Sequence, residues 1–219
     1  MMEFLDARSA LKDSMLKETQ IEIAKIIKRS YDIAKHIERD KNFLDSLLAK
    51  NILTYLSSII VETQLEEAVK SNRLPFECEI VPNSANNHYH LEMKTLDHKY
   101  IFTISQTSKR NETPRWSIFR ANHSLNNQLT IDDILGIKRE QAGPFYVLIT
   151  HGHYRNGLQF INICIPQPHM TGWIDRISLL DQAYIIETLN SEEYKEEKIE
   201  NDIALEIKEL VAKRVMENE

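Results

Sequence analysis

The chain has 219 residues, of which 42% are hydrophobic, which is enough for one sizeable core, and its formal net charge is -6. The negative excess lies in residues 187–219, with 5 basic and 11 acidic side chains, whereas residues 1–74 carry 12 of each and residues 75–186 carry 10 of each. This distribution excludes a chain that coats nucleic acid over a large surface, since such a surface needs many Lys and Arg side chains facing phosphates.

Cysteine usage and the N-terminus indicate a cytoplasmic protein. Cys78 and Cys164 fall in predicted strands without CxxC or metal-ligand spacing, which is typical of reduced thiols. The N-terminus is amphipathic and contains acids from Glu3 onward, so it lacks the order of a secretory signal. No run approaches the roughly 18 apolar residues of a membrane helix, so no membrane partner is expected.

The first third of the chain is predicted to form a helical hairpin, residues 1–74. Apolar residues recur at helical spacing from about Ala10 to Arg39, and a second such pattern runs to about Lys70, with Asn42 as a plausible N-cap. Pro75 ends this region, because the residue before a proline is pushed out of the helical conformation.

After Pro75 the period of the apolar pattern changes to two, which predicts a β domain over residues 75–186. Short connections favour antiparallel pairing, so we expect an antiparallel sheet of about five or six strands. With the helices, this makes an α+β fold, and an acidic C-terminal helix is expected from Asn190 within residues 187–219. The predicted strands before the last hairpin are Phe76–Val81, His88–Thr95, Tyr100–Thr107 and Trp116–Ala121.

The clearest local signal is a β-hairpin from Phe145 to Ile165. Two apolar runs flank a polar tip containing Asn156 and Gly157, and both residue types tolerate the positive φ that tight hairpin turns require. The base of this hairpin is predicted to belong to the core and its tip to solvent or to a site.

Histidines at alternate strand positions suggest a metal site. His88, His90 and Glu92 would project to one side of a strand and could bind zinc or iron, and His151 and His153 repeat the His-x-His spacing. The spacing resembles the His-x-His strand of cupin metal sites, although the glycines that frame that motif are absent. The alternative is that these residues form the solvated outer face of a half-buried sheet.

The same strand supports a nuclease hypothesis. Glu92-x-Lys94 resembles the Glu-x-Lys of the PD-(D/E)xK nucleases, which implies magnesium bound by the acid and water activated with help from the lysine. That family has another acid shortly upstream, whereas Asn83–Asn87 contains none, so Glu79 or Glu77 would have to take its place. The alternative is again a solvated strand face.

A basic and aromatic window predicts a contact surface. Between Lys109 and His123, four basic residues face one acid, a local charge of +3 (four minus one), with aromatic residues interleaved. Arginine beside an aromatic ring suits a phosphate with an unpaired base, or a protein hot spot, and the alternative is an ordinary hairpin with solvated arginines. The predicted contact residues are Lys109, Arg110, Arg115, Trp116 and Arg120.

The sequence contains no GxGxxG, GxxxxGK[ST], GxSxG or HExxH motif. The preferred hypothesis is therefore a non-enzymatic intracellular binding or regulatory protein of the bacterial or phage type, with a protein or nucleic-acid partner and no cofactor. We expect a homo-oligomer formed through the terminal helices. The alternative is a nuclease that uses Glu79, Glu92 and Lys94 with magnesium or zinc.

Overall fold

The computed structural model describes residues 12–40, 49–83, 86–128, 143–154 and 157–191. Residues up to Ile186 form one compact unit, and Glu187–Glu219 form a second. The described residues end at Ser191, so the acidic helix predicted from Asn190 lies almost entirely outside them.

Two long helices precede the sheet, α1 at Lys17–Asp40 and α2 at Ala49–Lys70. The helical spacing of α1 places Ile23, Ile27 and Tyr31 on one buried face, and α2 buries its own apolar positions in the same way. The helices pack against each other and against the sheet, so the predicted N-terminal helices are present. Within the described ranges, no helix is both long and apolar enough to cross a membrane.

The sheet has six strands whose spatial order equals their order along the chain. Every neighbouring pair is antiparallel except β3 and β4, which are parallel. The α+β prediction is confirmed, with a mixed sheet, because the long connection between β3 and β4 returns the chain to the end from which β3 started. The strands are β1 (Phe76–Pro82), β2 (Tyr89–Thr95), β3 (Tyr100–Gln106), β4 (Phe145–Tyr154), β5 (Gly157–Pro166) and β6 (Trp173–Ser178).

The predicted strand Trp116–Ala121 is wrong, because this segment contributes to a helix, α3, at Ile118–Ser124. Trp116 and Ile118, whose alternation suggested the strand, are 63% and 49% exposed. The buried residues of α3 are Ala121 and Ser124, three positions apart, which is helical spacing.

Different helices pack against the two faces of the sheet. The face that carries Ile149 and His151 lies against the long helices, since Tyr31 of α1 contacts His151. The opposite face carries His90 and Glu92 and lies under α3, since Phe119 stacks on His90. Strands β2 and β4 therefore send alternate side chains to the two sides of the sheet that the helices cover.

The predicted hairpin is confirmed as β4 and β5, which pair from Leu148 to Tyr154. Gly157 has φ 100, the positive value expected at the tip, while residues 155–156 lie outside the described ranges. A register shift follows Gly152, where a Cβ atom would lie 2.4 Å from Phe160 Cζ and 2.5 Å from the Thr107 carbonyl oxygen. Only glycine fits this position without displacing backbone.

Gly152→Ala should lower the free energy of unfolding by about 1–3 kcal/mol, because the added methyl group meets a main-chain oxygen that cannot move independently. Thermal unfolding followed by circular dichroism would measure the change. Gly172→Ala is the matched control, since its Cβ would meet only the end of the Gln167 side chain, at 3.1 Å. Equal melting temperatures for the two variants would contradict the packing argument.

Candidate functional site

A carboxylate shared by two imidazoles lies at the centre of the sheet face under α3. Oε1 of Glu92 accepts hydrogen bonds from Nε2 of His90 at 3.2 Å and Nε2 of His123 at 2.8 Å. Glu92 and His90 share a face because they are two positions apart on β2, and α3 supplies His123. Since a carboxylate only accepts, both imidazoles carry a proton on Nε2, and their Nδ1 atoms hold lone pairs when the rings are neutral.

The electrostatics of this cluster keep the carboxyl group ionised. Burial raises the pKa of Glu92, but the hydrogen bonds from His123 and His90 outweigh burial and lower that pKa to about 2. Glu92 is 7% exposed and His90 is 4% exposed. The site therefore holds a negative charge largely out of water at neutral pH.

Aromatic rings fix the positions of the two imidazoles. The Phe119 ring stacks on the His90 ring, with centroids 3.7 Å apart and planes 18° apart. The ring of His123 lies 5.3 Å from that of Tyr146, a buried residue whose hydroxyl group lies 2.6 Å from Thr103 Oγ1. The cluster is thus packed between α3 and the sheet.

Arg120, which was predicted to lie on the contact surface, is half-buried. Its Nη1 donates to the Arg115 carbonyl at 2.9 Å and to Ser117 Oγ at 3.2 Å, and its Nη2 donates to Ser105 Oγ at 3.3 Å. Burial lowers the pKa of Arg120, and the negative charges of Tyr146, when ionised, and Glu62 oppose that change. Arg120 therefore links the loop before α3 to strand β3.

The sheet is incomplete beside this cluster. Strands β2 and β3 pair only where Glu92–Lys94 lies opposite Ile101–Thr103. One residue earlier on β2, the Leu91 N–H group donates to Oε2 of Glu62, a side chain from α2, at 3.1 Å. The two strands consequently part at the end that carries His90 and Ser105, and polar side chains occupy that end.

The residues of the nuclease hypothesis lie on one face of the sheet. Glu79 and Glu92 are directly paired on β1 and β2, and Lys94 lies two residues after Glu92. Side chains directly opposite each other on antiparallel strands have Cβ atoms about 4.5–5.5 Å apart. Glu79 is exposed, whereas Glu92 is buried by its histidine partners. Binding of a metal by these residues stays a prediction.

The histidines of the proposed zinc or iron site lie in different places. His90 is beside Glu92, but His88 is exposed, with its Nδ1 3.2 Å from the Tyr55 hydroxyl group. His151 is on the opposite face of the sheet, where its Nδ1 lies 2.7 Å from the Tyr31 hydroxyl group. The side chain of His153 is not described. In the described ranges, no group of three or more His, Cys, Asp and Glu residues could hold a metal.

Residues 107–117, here called the basic loop, cross the same face of the sheet as Glu92. The loop is held through its carbonyl groups: Asn162 and Arg176 donate to the Arg110 carbonyl at 3.0 and 2.7 Å, and Trp173 donates to the Asn111 carbonyl at 3.2 Å. Residues of β5 and β6 thus fix a segment that has no regular secondary structure.

The basic loop presents four of the five predicted contact residues to solvent. Lys109, Arg115 and Trp116 are exposed, and Trp116 retains 63% of its accessible surface. Arg110 is engaged in an ion pair with Asp181 and a hydrogen bond to Ser178. Arg110 remains exposed in this pair, so the loop presents three cations and one indole ring, and two of the cations, Lys109 and Arg115, have no ion pair among the described residues.

Sequence reasoning missed His123 as a member of the site, together with Tyr146 and Thr103. The one available signal was the spacing of Phe119 and His123, which places both on one face of a helix. Reading the segment as a strand concealed that signal.

Glu92→Gln should make the free energy of unfolding less dependent on pH in the acidic range. A folded pKa of about 2 against an ordinary value of 4.5 means that the charged form contributes to stability above pH 4.5, and that this contribution disappears as the pH falls toward 2. The difference of roughly 2.5 units corresponds to about 3 kcal/mol at most. Urea unfolding between pH 7 and pH 2.5 would measure it, with Glu79→Gln as an exposed control. A wild-type slope that Glu92→Gln leaves unchanged would contradict the shared-carboxylate account.

Comparisons of the chain with protein-family models, with curated proteins and with solved structures found no match. Function is therefore argued from the side chains themselves. The two features that bear on it are the cluster around Glu92 and the exposed part of the basic loop, which lie on the same face of the sheet.

Proposed function

We propose that this chain is a cytoplasmic binding or regulatory protein that contacts single-stranded nucleic acid through the basic loop. The observation that carries the proposal is the exposed Arg115 and Trp116 pair on a loop held in place by the sheet. A guanidinium group can pair with a phosphate while the neighbouring indole stacks on an unpaired base, and stacking contributes about 1–3 kcal/mol per base.

Anchoring of the loop supports a binding role. Ordering a loop on association costs free energy, and a surface that is already ordered avoids that cost. Three side-chain donors from β5 and β6, together with Arg120 from α3, hold the carbonyl groups of the basic loop. The contact residues are therefore presented in one arrangement before the partner arrives.

The charge of the loop indicates that it contacts only a few nucleotides. Lys109 and Arg115 are its exposed cations that have no ion pair among the described residues, since Arg110 pairs with Asp181, and residues 75–186 carry equal numbers of acidic and basic side chains. For single strands, each neutralised phosphate contributes about -0.7 to the slope of log affinity against log salt concentration. Two contacts thus correspond to a slope of about -1.4, and to the recognition of a few nucleotides.

A nucleic-acid partner is favoured over a protein partner because the loop shares a sheet face with carboxylate, imidazole and ammonium groups suited to phosphodiester chemistry. Cys78 and Cys164 are free thiols, which accords with the cytoplasm. The proposal retains assembly as a homo-oligomer through the terminal helices, although most of the predicted C-terminal helix lies outside the described residues.

Arg115→Glu combined with Trp116→Ala should reduce affinity for a fluorescent 12-nucleotide single-stranded RNA by at least tenfold, because phosphate pairing and stacking are both lost. Fluorescence anisotropy at 50 mM salt would measure the change. Lys99→Glu is the matched control, since it reverses another exposed charge, on the turn after β2. Unchanged binding by the double variant, with its fold intact by circular dichroism, would contradict the proposal.

A second candidate is a magnesium-dependent nuclease of the PD-(D/E)xK type. The specific observation in its favour is the direct pairing of Glu79 with Glu92, with Lys94 on the same face. In this hypothesis the two carboxylates hold the metal and Lys94 helps to activate the attacking water. Glu92 would have to turn part of its carboxylate away from the two histidines.

If this second hypothesis holds, Glu79→Ala should abolish cleavage of single-stranded DNA that depends on added magnesium. Glu67→Ala, an exposed acid on α2, is the control and should retain it. Gel electrophoresis of a labelled oligonucleotide, with and without a chelator, would give the result. Equal cleavage by Glu79→Ala and wild type would eliminate Glu79 as a ligand.

A further inference from the structure

We propose that His123, oriented by Glu92, is the general base of a metal-independent cleavage of single-stranded RNA. This inference rests on the proposed function, because the basic loop must hold the RNA. It adds to that function a reaction, a substrate class and a catalytic residue. It also differs from the nuclease hypothesis above, in which a metal activates water.

The geometry of His123 is that of a held base. Its Nε2 donates to Glu92 Oε1 at 2.8 Å, which leaves the lone pair on Nδ1. The side chain is 25% exposed, and none of the described residues bonds to Nδ1. A lone pair in this position can accept a proton from a bound substrate, whereas the equivalent atom of His90 is buried.

Glu92 is suited to orient that base. Its second hydrogen bond, from His90, fixes the carboxylate, and the stacking of Phe119 fixes His90 in turn. A fixed, ionised carboxylate selects one imidazole tautomer and stabilises the imidazolium ion that forms after proton transfer. Glu92 and His90 are therefore positioning residues, since neither would touch the substrate.

The chemistry of the base points to RNA. An imidazole is a general base suited to removing a proton from a hydroxyl group at neutral pH. RNA carries such a hydroxyl group, the 2′-OH, next to every phosphodiester bond, and DNA lacks it. Trp116, which would hold a base, lies two residues before the start of the helix that bears His123. A strand stacked on Trp116 can thus continue along the exposed side of α3.

The reaction balances without a co-reactant other than water. Nδ1 of His123 takes the proton of the 2′-OH group, and O2′ forms a bond to the adjacent phosphorus. The bond from phosphorus to O5′ breaks, and the leaving oxygen takes a proton from water. The hydroxide ion so formed takes the proton from the His123 imidazolium ion, which restores both the water molecule and the neutral base. The products are a 2′,3′-cyclic phosphate and a 5′-hydroxyl end. The guanidinium group of Arg120, whose Nε has no partner among the described residues, adds positive charge beside this site.

The cleavage test uses the full chain, a labelled 12-nucleotide RNA and excess EDTA, with the products identified by mass spectrometry. Wild type should release fragments with 2′,3′-cyclic phosphate ends and leave the DNA of the same sequence intact. His123→Gln should reduce the rate by 10²–10⁴-fold, because glutamine can still donate to Glu92 but is not a base. Glu92→Gln should reduce the rate and alter its pH profile, while the exposed control His98→Ala should match wild type.

Binding is measured separately with the 2′-O-methyl form of the same RNA, which cannot react. If this RNA binds and wild type leaves the ordinary RNA uncut in EDTA, the catalytic inference is overturned and the proposed function stands. If it does not bind, the proposed function fails. Cleavage that requires magnesium, or that His123→Gln retains, also overturns the assignment of His123. Circular dichroism of His123→Gln excludes misfolding, and the identity of the wild-type products provides a test independent of any variant.

Discussion

The hydrogen bonds from two imidazoles to the carboxylate of Glu92 are the interaction on which the described part of this structure depends. A carboxylate removed from water is costly unless it is paired and hydrogen-bonded, and the shorter of the two hydrogen bonds to Glu92, from His123, forms only while α3 lies on the sheet. The same contact brings Phe119 over His90. The long connection between β3 and β4 is thereby attached to the sheet through α3, which lies partway along it.

That attachment determines the arrangement of the basic loop. The side chain of Arg120 extends from α3 and donates a hydrogen bond to the Arg115 carbonyl. Residues of β5 and β6 donate hydrogen bonds to the loop from the other side. A segment without regular secondary structure is therefore held at both ends of its path across the sheet. The exposed Arg115 and Trp116 consequently occupy a defined position relative to the cluster around Glu92, which is the physical basis for considering binding and chemistry together.

The retention of so many polar groups inside the protein is itself informative. Burying Arg120, Glu92 and His90 contributes less stability than apolar residues of the same volume would, because desolvation offsets much of the gain. The N–H of Leu91 bonds to a side chain of α2 near the place where β2 and β3 part. Departures from the most stable core arrangement are expected at functional sites, and here they coincide at one end of the sheet.

The candidate site was only partly predictable, for reasons that the individual residues make clear. Glu92 and His90 were identified because a strand places alternate residues on one side, whatever surrounds it. His123 was not, because it lies 31 positions further along the chain and meets Glu92 only through the packing of α3. Arg115 and Trp116 are both exposed, but nothing in their neighbourhood showed that Arg120 would turn inward to bond Ser105.

The sequence by itself determined the long helices, the change to strands after Pro75 and the hairpin near Gly157, because backbone periodicity and turn conformation are local properties of a chain. Only the tertiary structure decided that β3 and β4 run parallel, that residues 118–124 form a helix, and that the polar side of β2 is covered instead of solvated. Those outcomes depend on where a connection of nearly forty residues returns to the sheet. The position at which this connection rejoins the sheet depends on the burial of groups that are far apart in sequence, and a local sequence pattern cannot predict it.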